Sequence, residues 1–276
     1  MMDSNPNTPT FQYSNNPSLS SDRKASLWSI ISLIVLAWLV LWFWGRSPYG
    51  RYLSHEQLGE IGLNGASSLF WAITLYVVGW TLMTVAMMLP TILPLLEIFR
   101  RLVAQRPERA QLVALVIIGY LGVWAGFGVV AHFADWVLHE VVERSSWLEA
   151  NAWVIGVGTL LVAGGFQFSR LKYRCLDKCR APLSFVMEHW RGRHDRRNAF
   201  VLGIHHGIFC VGCCWALMLL MFGVGVGNVG WMLGLGAVMA IEKNLPWGRK
   251  LSAPVGAALL ACGALIALNH SWIGRS

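Results

Sequence analysis

Residues 199–222 read AFVLGIHHGIFCVGCCWALMLLMF, and no Asp, Glu, Lys or Arg interrupts them. The run is long enough to cross the hydrocarbon core of a bilayer as a helix. The rest of the chain has the same character, since 55% of its 276 residues are hydrophobic and 13% are charged. That balance is too apolar for a soluble domain with a hydrated surface. The sequence therefore predicts an all-α integral membrane protein.

Similar apolar runs recur along the chain, and we interpret them as a polytopic bundle of seven membrane-spanning helices. The runs cover residues 27–44, 69–89, 111–133, 151–168, 199–222, 229–241 and 253–268. The last two are short enough to form a tight hairpin, so six spans are the alternative. We predict a disordered N-terminal tail over 1–26, a transmembrane domain over 27–268 and a C-terminal tail over 269–276.

The basic residues are distributed unevenly between the predicted loops. If the N-terminus is cytoplasmic, only four of the 22 basic residues lie on the outer side of the membrane: Arg46, Arg51, Arg144 and Arg275. Cytoplasmic loops carry an excess of Lys and Arg, so the pattern predicts an inside N-terminus and an outside C-terminus. The net charge of +8 comes from these helix flanks. We therefore expect the lipid bilayer, and no nucleic acid, as a partner.

Three of the six cysteines lie together in the 199–222 run. At about 100° per residue, an α-helix places Cys210, Cys213 and Cys214 on one face with an imidazole and a thioether. Sulfur donors favour Cu(I), and sulfur with imidazole also suits Zn(II). The alternative is that the cysteines are small apolar residues that pack helices together. The candidate ligands in this run are His206, Cys210, Cys213, Cys214, Met218 and Met221.

The predicted 69–89 span offers a second set of sulfur donors. Met83 and Met87 lie four residues apart and so share one helix face. Pro90 follows at once and is expected to kink the helix and free backbone carbonyls. Thioethers bind Cu(I) without deprotonation, but methionine is equally suited to filling gaps in a core.

Cys175 and Cys179 lie in a segment, 170–198, that we predict to be a basic cytoplasmic loop. In a helix these two thiols would share one face beside basic side chains, which favour the thiolate. Cys210 would lie roughly 17 Å inside its span, at 1.5 Å per residue. Either the chain has two separate sulfur sites, or the segment folds back into the bundle.

Several short motifs in this chain carry a resemblance to a known family. They are the AMMLP of 86–90, the Gly165-Phe166-Gln167 run with Lys172, the CLDKCRAP of 175–182, the CVGCCW of 210–215 and the pair Glu242-Lys243. Together they resemble a bacterial family of predicted metal-binding integral membrane proteins. The resemblance implies the bacterial inner membrane as location and suggests a connection with copper.

The same resemblance suggests that four polar residues support the metal ligands or gate access to them: Gln167, Lys172, Glu242 and Lys243. The position of Glu242 and Lys243 at the end of a predicted span favours a simpler interpretation, which is an anchor at the membrane interface.

Motifs for ATP hydrolysis, zinc-dependent proteolysis and covalent haem attachment are absent from the sequence. We therefore predict no catalytic residues, and expect a membrane protein that binds a soft metal ion, most simply Cu(I), and exchanges it with a donor or acceptor protein. Zn is the alternative metal. The alternative functions are a membrane thiol-disulfide oxidoreductase, and a permease or assembly factor whose cysteines are structural.

Overall fold

The structure is a computed structural model that describes residues 17–46, 66–190, 195–224 and 229–273. Every regular element in those ranges is helical, which confirms the predicted all-α class. In chain order the α-helices are α1 (Pro17–Arg46), α2 (Ala66–Met88), α3 (Leu93–Leu102), α4 (Arg109–Glu143), α5 (Ser146–Ala150), α6 (Trp153–Phe166), α7 (Arg170–Arg180), α8 (Pro182–His189), α9 (Asp195–Val224), α10 (Val229–Asn244) and α11 (Ser252–Ile273). Short 3-10 segments, Leu89–Ile92 and Gly248–Leu251, lead into α3 and α11.

Four stretches of the described residues are long and apolar enough to cross a membrane, where the sequence predicts seven. They are Val77–Leu102, Arg109–Glu143, Asp195–Met221 and Gly248–His270. A fifth results if α6 and α7, which are bent by 62°, count as one broken span.

The two remaining predicted spans, 27–44 and 229–241, are not among these long apolar stretches. The 27–44 run contributes a shorter apolar helix, Ile30–Phe43. The 229–241 run lies in α10, which has 16 residues. At 1.5 Å per residue such a helix is roughly 24 Å long, less than the roughly 30 Å of a hydrocarbon core.

Both predicted tails are partly helical. Helix α1 begins at Pro17, inside the 1–26 segment expected to be disordered, while residues 1–16 lie outside the described ranges. Proline is favoured in the first turn of a helix, so α1 is able to begin before its apolar part. Helix α11 continues to Ile273, and residues 274–276 of the predicted C-terminal tail lie outside the described ranges.

The segment 170–198, predicted to be a basic cytoplasmic loop, is helical for most of its length. The segment forms α7, α8 and the start of α9, and residues 191–194 lie outside the described ranges. Helix α7 is amphipathic, because Lys172, Cys175, Leu176 and Cys179 are buried at positions i, i+3, i+4 and i+7. This face packs against α9. The segment therefore folds back onto the helix that carries the other cysteines.

Pro90 interrupts the helix after α2, as predicted, and the chain continues through the 3-10 segment into α3. Because proline has no N–H, the carbonyl of Ala86 loses its helical partner. The indole Nε1 of Trp38 donates to this carbonyl at 3.1 Å. The Met88 carbonyl likewise accepts from Thr91 Oγ1 at 2.8 Å and from the Tyr120 hydroxyl at 3.3 Å.

Helices α4 and α9 form the most extensive helix pair of the bundle. A Cβ atom at Gly203 would collide with the Val116 carbonyl, and one at Gly119 would collide with the Phe200 carbonyl. Small residues at such positions allow two backbones to approach closely. The pairing holds the cysteine face of α9 beside the buried Tyr120 of α4.

Candidate metal centre

Cys210 lies at the centre of a buried polar group formed by three helices. Its Sγ atom is 2.9 Å from the Nζ atom of Lys243 on α10 and 2.9 Å from the hydroxyl of Tyr120 on α4. All three side chains are buried, and Cys210 itself has no exposed surface. An ammonium at this distance compensates the charge of a thiolate, which is the metal-binding form of cysteine.

Lys243 also contacts the break that follows α2. Its Nζ atom lies 3.5 Å from Thr91 Oγ1 and 3.9 Å from Met88 Sδ. Met88, Thr91 and Tyr120 are neighbours of this polar group that the sequence does not predict. Met88 was visible as the second methionine of the AMMLP motif, whereas nothing in the local sequence around Tyr120 distinguishes it from an ordinary buried aromatic residue.

The second thiol group joins α9 to α7. Cys213 Sγ lies 3.4 Å from Cys214 Sγ and 4.0 Å from Cys179 Sγ. Its own thiol also donates to the Cys210 carbonyl at 3.1 Å. Two thiolates that bind one metal at about 2.3 Å lie roughly 3.8 to 4.0 Å apart in tetrahedral or trigonal geometry. The Cys179 to Cys213 distance therefore fits a shared ion.

Cys175 lies against α9 at Gly212, one residue before Cys213. A Cβ atom at Gly212 would come within 2.7 Å of Cys175 Sγ, so glycine is needed for α7 to approach this closely. The sequence left open whether the two cysteine groups form one site or two. The structure brings both groups into one buried region, because the bend after α6 turns α7 toward α9.

Glu242 and Lys243 do not form the interfacial anchor that their position favours, and they do not pair with each other. The Glu242 side chain is 1% exposed and forms an ion pair with Lys172, whose Nζ lies 2.8 Å from Oε2. Ser252 Oγ donates to the other carboxylate oxygen at 2.8 Å. Arg180 donates to the Glu242 carbonyl and, at 2.8 Å, to the Pro246 carbonyl. These contacts fix α7 to the end of α10 and the start of α11.

Gln167 is fully buried where α6 ends, and its Cβ faces the close approach of Gly256 on α11. Neither of its amide atoms has a hydrogen-bond partner among the described residues. Lys172 belongs to the ion pair with Glu242 and not to a basic surface beside Cys175. Of the four predicted supporting residues, Lys243 therefore contacts a cysteine, whereas Lys172 and Glu242 hold the helices in place.

The remaining predicted ligands, one histidine and four methionines, are also buried. His206 lies one turn before Cys210, with its ring centroid 6.0 Å from that of Tyr120 and 5.1 Å from that of Phe185. Met87 packs against Gly236 of α10, with its Cγ atom 3.6 Å from the position of a Cβ there. The polar contacts around the cysteines include none of the four predicted methionine ligands, which are Met83, Met87, Met218 and Met221.

Across the described ranges, no group of three or more His, Cys, Asp or Glu side chains is arranged to hold a metal ion. The thiols instead contact one another and Lys243. Ligation would require Cys213 and Cys214 to move apart by a few tenths of an ångström, since their sulfurs are closer than two ligands of one ion. The donor set itself, thiols with a nearby thioether, is one that soft ions such as Cu(I) prefer.

Residues 77–266 match the model of a protein family described as PpoB2, copper chaperone. The match contains every candidate ligand and every supporting residue named above. It agrees with the connection to copper that the sequence resemblance suggests. The comparison with curated proteins found no match, and neither did the comparison with solved structures.

Proposed function

The chain belongs to the PpoB2 copper chaperone family, and from this premise we propose that it is an integral membrane protein that binds Cu(I) and exchanges it with a partner protein. The proposed ligands are Cys210, Cys213 and Cys214 of α9 together with Cys179 of α7. One observation carries the proposal, namely that Cys179 Sγ and Cys213 Sγ, from two different helices, lie 4.0 Å apart in a buried region. Soft sulfur donors in dry surroundings favour Cu(I) over harder ions.

Lys243 gives this site a charge suited to a monovalent ion. A copper ion bound by two or three thiolates carries a net negative charge, which is costly to bury without compensation. The Lys243 ammonium, 2.9 Å from Cys210 Sγ, supplies the opposite charge. Met88 Sδ, 3.9 Å from the same ammonium, is a neutral donor within the same region. Cys175, beside Gly212, would act as a neighbouring thiol in the transfer.

Exposed apolar surface supports a membrane location. Val130 and Phe133 of α4 are 65% and 62% exposed, and Leu265 and Leu268 of α11 are 66% and 58% exposed. Apolar surfaces of this kind mark contact with lipid or another protein. Together with the four long spans, α1, α10 and the α6 and α7 pair would give the seven membrane-embedded helices predicted from sequence. The basic residues favour a cytoplasmic N-terminus in a bacterial inner membrane.

Metal analysis of the intact protein tests the proposal. After copper loading under reducing conditions, we expect the purified wild-type chain to retain copper and the C210S/C213S/C214S variant to lose it. The matched control is C262S, because Cys262 is an exposed cysteine on α11, away from the buried group. Equal copper content in wild type and the triple variant would refute the proposal, and zinc in place of copper would favour the alternative metal.

Thiol-disulfide exchange is the competing function, and the proximity of Cys179 to Cys213 is the observation in its favour. All six cysteines are free thiols in the structure. Thiol trapping in intact cells separates the two functions. A persistent mixture of reduced and disulfide-bonded Cys179 would indicate redox chemistry, whereas full reduction together with bound copper supports metal handling.

A further inference from the structure

Two histidines that the copper site does not use lie together, closer to the start of α9 than the buried cysteines are. His189 is at the end of α8, and His205 is on α9. Their ring centroids are 4.9 Å apart, with an angle of 70° between the rings. Phe185 of α8 holds this arrangement, because it stacks on His189 at 4.3 Å and contacts the His206 ring edge-on at 5.1 Å.

The hydrogen bond of His189 fixes which ring nitrogen is free. His189 Nδ1 lies 2.9 Å from the Phe185 carbonyl oxygen, which is able only to accept. We therefore assign the proton to Nδ1, which leaves a lone pair on Nε2. A backbone carbonyl that accepts from one ring nitrogen is the usual support for a histidine whose other nitrogen binds a metal.

His205 contributes a nitrogen without a partner. Its Nδ1 atom is buried and has no hydrogen-bond partner among the described residues, and the same holds for Nδ1 of His206. A buried polar atom left without a partner costs about 1 to 3 kcal/mol. A bound ligand at this place would remove that cost.

We propose that His189 and His205 form a separate, nitrogen-based copper site that loads the thiol site. The inference rests on copper being the cargo of the chain, as proposed above. Two imidazoles bound to one tetrahedral ion at about 2.0 to 2.1 Å have ring centres roughly 5 Å apart, close to the distance observed here. Imidazole nitrogen suits copper, and a site with only two protein ligands releases its ion more readily than a thiol cluster does.

The position of His205 on α9 indicates the direction in which a copper ion would move toward the thiols. His205 precedes His206, and His206 lies one helical turn before Cys210. The exposure of the side chains falls along this line, from the partly exposed His189 and His205 to His206 at 3% and Cys210 at 0%. An ion held by His189 and His205 would therefore pass His206 before it meets the first thiol.

The first test removes all thiols and asks whether nitrogen alone binds copper. The full chain with all six cysteines replaced by serine is loaded anaerobically with Cu(I), and the ligands are identified by X-ray absorption spectroscopy. We expect bound copper with nitrogen or oxygen scattering and no sulfur. Adding H189Q and H205Q should lower the copper affinity by about tenfold or more. The matched control is H270Q, since His270 is an exposed histidine that stacks on Trp153 of α6.

A second measurement decides the matter even if the cysteine-free chain does not fold. In the chain with all cysteines present, H189Q/H205Q should leave the amount of sulfur-bound copper at equilibrium unchanged but slow its appearance severalfold. Unchanged loading kinetics in that variant, or equal copper binding by cysteine-free chains with and without the histidines, would overturn the loading site. Wild type without any sulfur-bound copper would instead refute the proposed function.

Discussion

Two buried lysines, 71 positions apart in the sequence, have opposite kinds of partner. Lys172 on α7 is surrounded by oxygen, with the Glu242 carboxylate at 2.8 Å and Ser252 on the other carboxylate oxygen. Lys243 on α10 is surrounded largely by sulfur, with Cys210 Sγ at 2.9 Å and Met88 Sδ at 3.9 Å. We refer to these as the carboxylate region and the sulfur region.

The difference indicates which of the two regions is able to bind a metal cation. A buried carboxylate and a buried ammonium that satisfy each other lose several kcal/mol if either partner is removed, so the carboxylate region is structural. A thiolate becomes a neutral thiol by taking up a proton, so the sulfur region tolerates more than one charge state. A cation that binds sulfur would therefore bind in the sulfur region. The first region keeps α7, and with it Cys179, in position.

Replacing the carboxylate should have the largest effect. E242Q leaves the Lys172 ammonium buried without a counter-charge, and we expect the free energy of unfolding to fall by about 3 to 5 kcal/mol. Chemical denaturation in detergent measures the loss. The double variant K172M/E242Q removes both charges and should recover part of the stability. An E242Q protein as stable as wild type would show that the ion pair does not hold the helices.

The next largest effect should come from disturbing the close approach of α7 to α9. G212A places a methyl group 2.7 Å from Cys175 Sγ, and relief of that overlap should cost about 1 to 3 kcal/mol of stability. The displacement of α7 would also move Cys179 away from Cys213 and reduce copper retention. G158A is the control, because a Cβ atom at Gly158 meets nothing within 4 Å. Copper retention equal to that of wild type in G212A would argue against Cys179 as a ligand.

Removal of the lysine in the sulfur region should affect copper more than stability. K243M removes the positive charge beside Cys210, and we expect the Cu(I) affinity to fall about tenfold, which is about 1.4 kcal/mol. Competition with a coloured Cu(I) chelator measures the change. K172M supplies the comparison, since it should lower stability with a smaller direct effect on affinity. If both variants lose affinity and stability in the same proportion, the two regions do not differ as described.

Removal of an exposed ion pair should have the smallest effect on stability. Lys178 donates to Glu188 at 2.7 Å, and this hydrogen bond lowers the pKa of the Glu188 carboxyl below its ordinary value. Any stability it contributes is present above the ordinary pKa and is lost as the pH falls through the lowered one. Because both side chains are well exposed, E188Q should leave unfolding almost unchanged at neutral pH. A large loss would mean that exposed ion pairs matter here as much as buried ones.

Helix α7 shows what could and what could not be predicted from the sequence. The i, i+4 spacing of Cys175 and Cys179 correctly placed both thiols on one helix face, and the depth of Cys210 raised the question of a segment that folds back. The sequence could not choose between one site and two. That choice depends on the 62° bend after α6 and on the fit of Cys175 against Gly212, which are contacts between distant segments.

The same limit applies to the number of spans and to Tyr120. Apolar composition identified where helices occur, but the predicted count of seven assumed that each apolar run forms a full, straight span. The structure has four such spans, or five with the bent pair. Tyr120 became a neighbour of Cys210 only because Gly119 and Gly203 allow α4 and α9 to approach closely.

Side-chain types and their helical spacing are enough to specify an apolar, all-α chain with clustered sulfur donors. The partners of the two buried lysines could not be predicted in this way. Lys172 and Lys243 carry the same charge, and either could pair with a carboxylate or with a thiolate. Which one each lysine meets depends on how α7, α9 and α10 pack. Burial then fixes the result, because an ammonium removed from water must have a charged or polar neighbour.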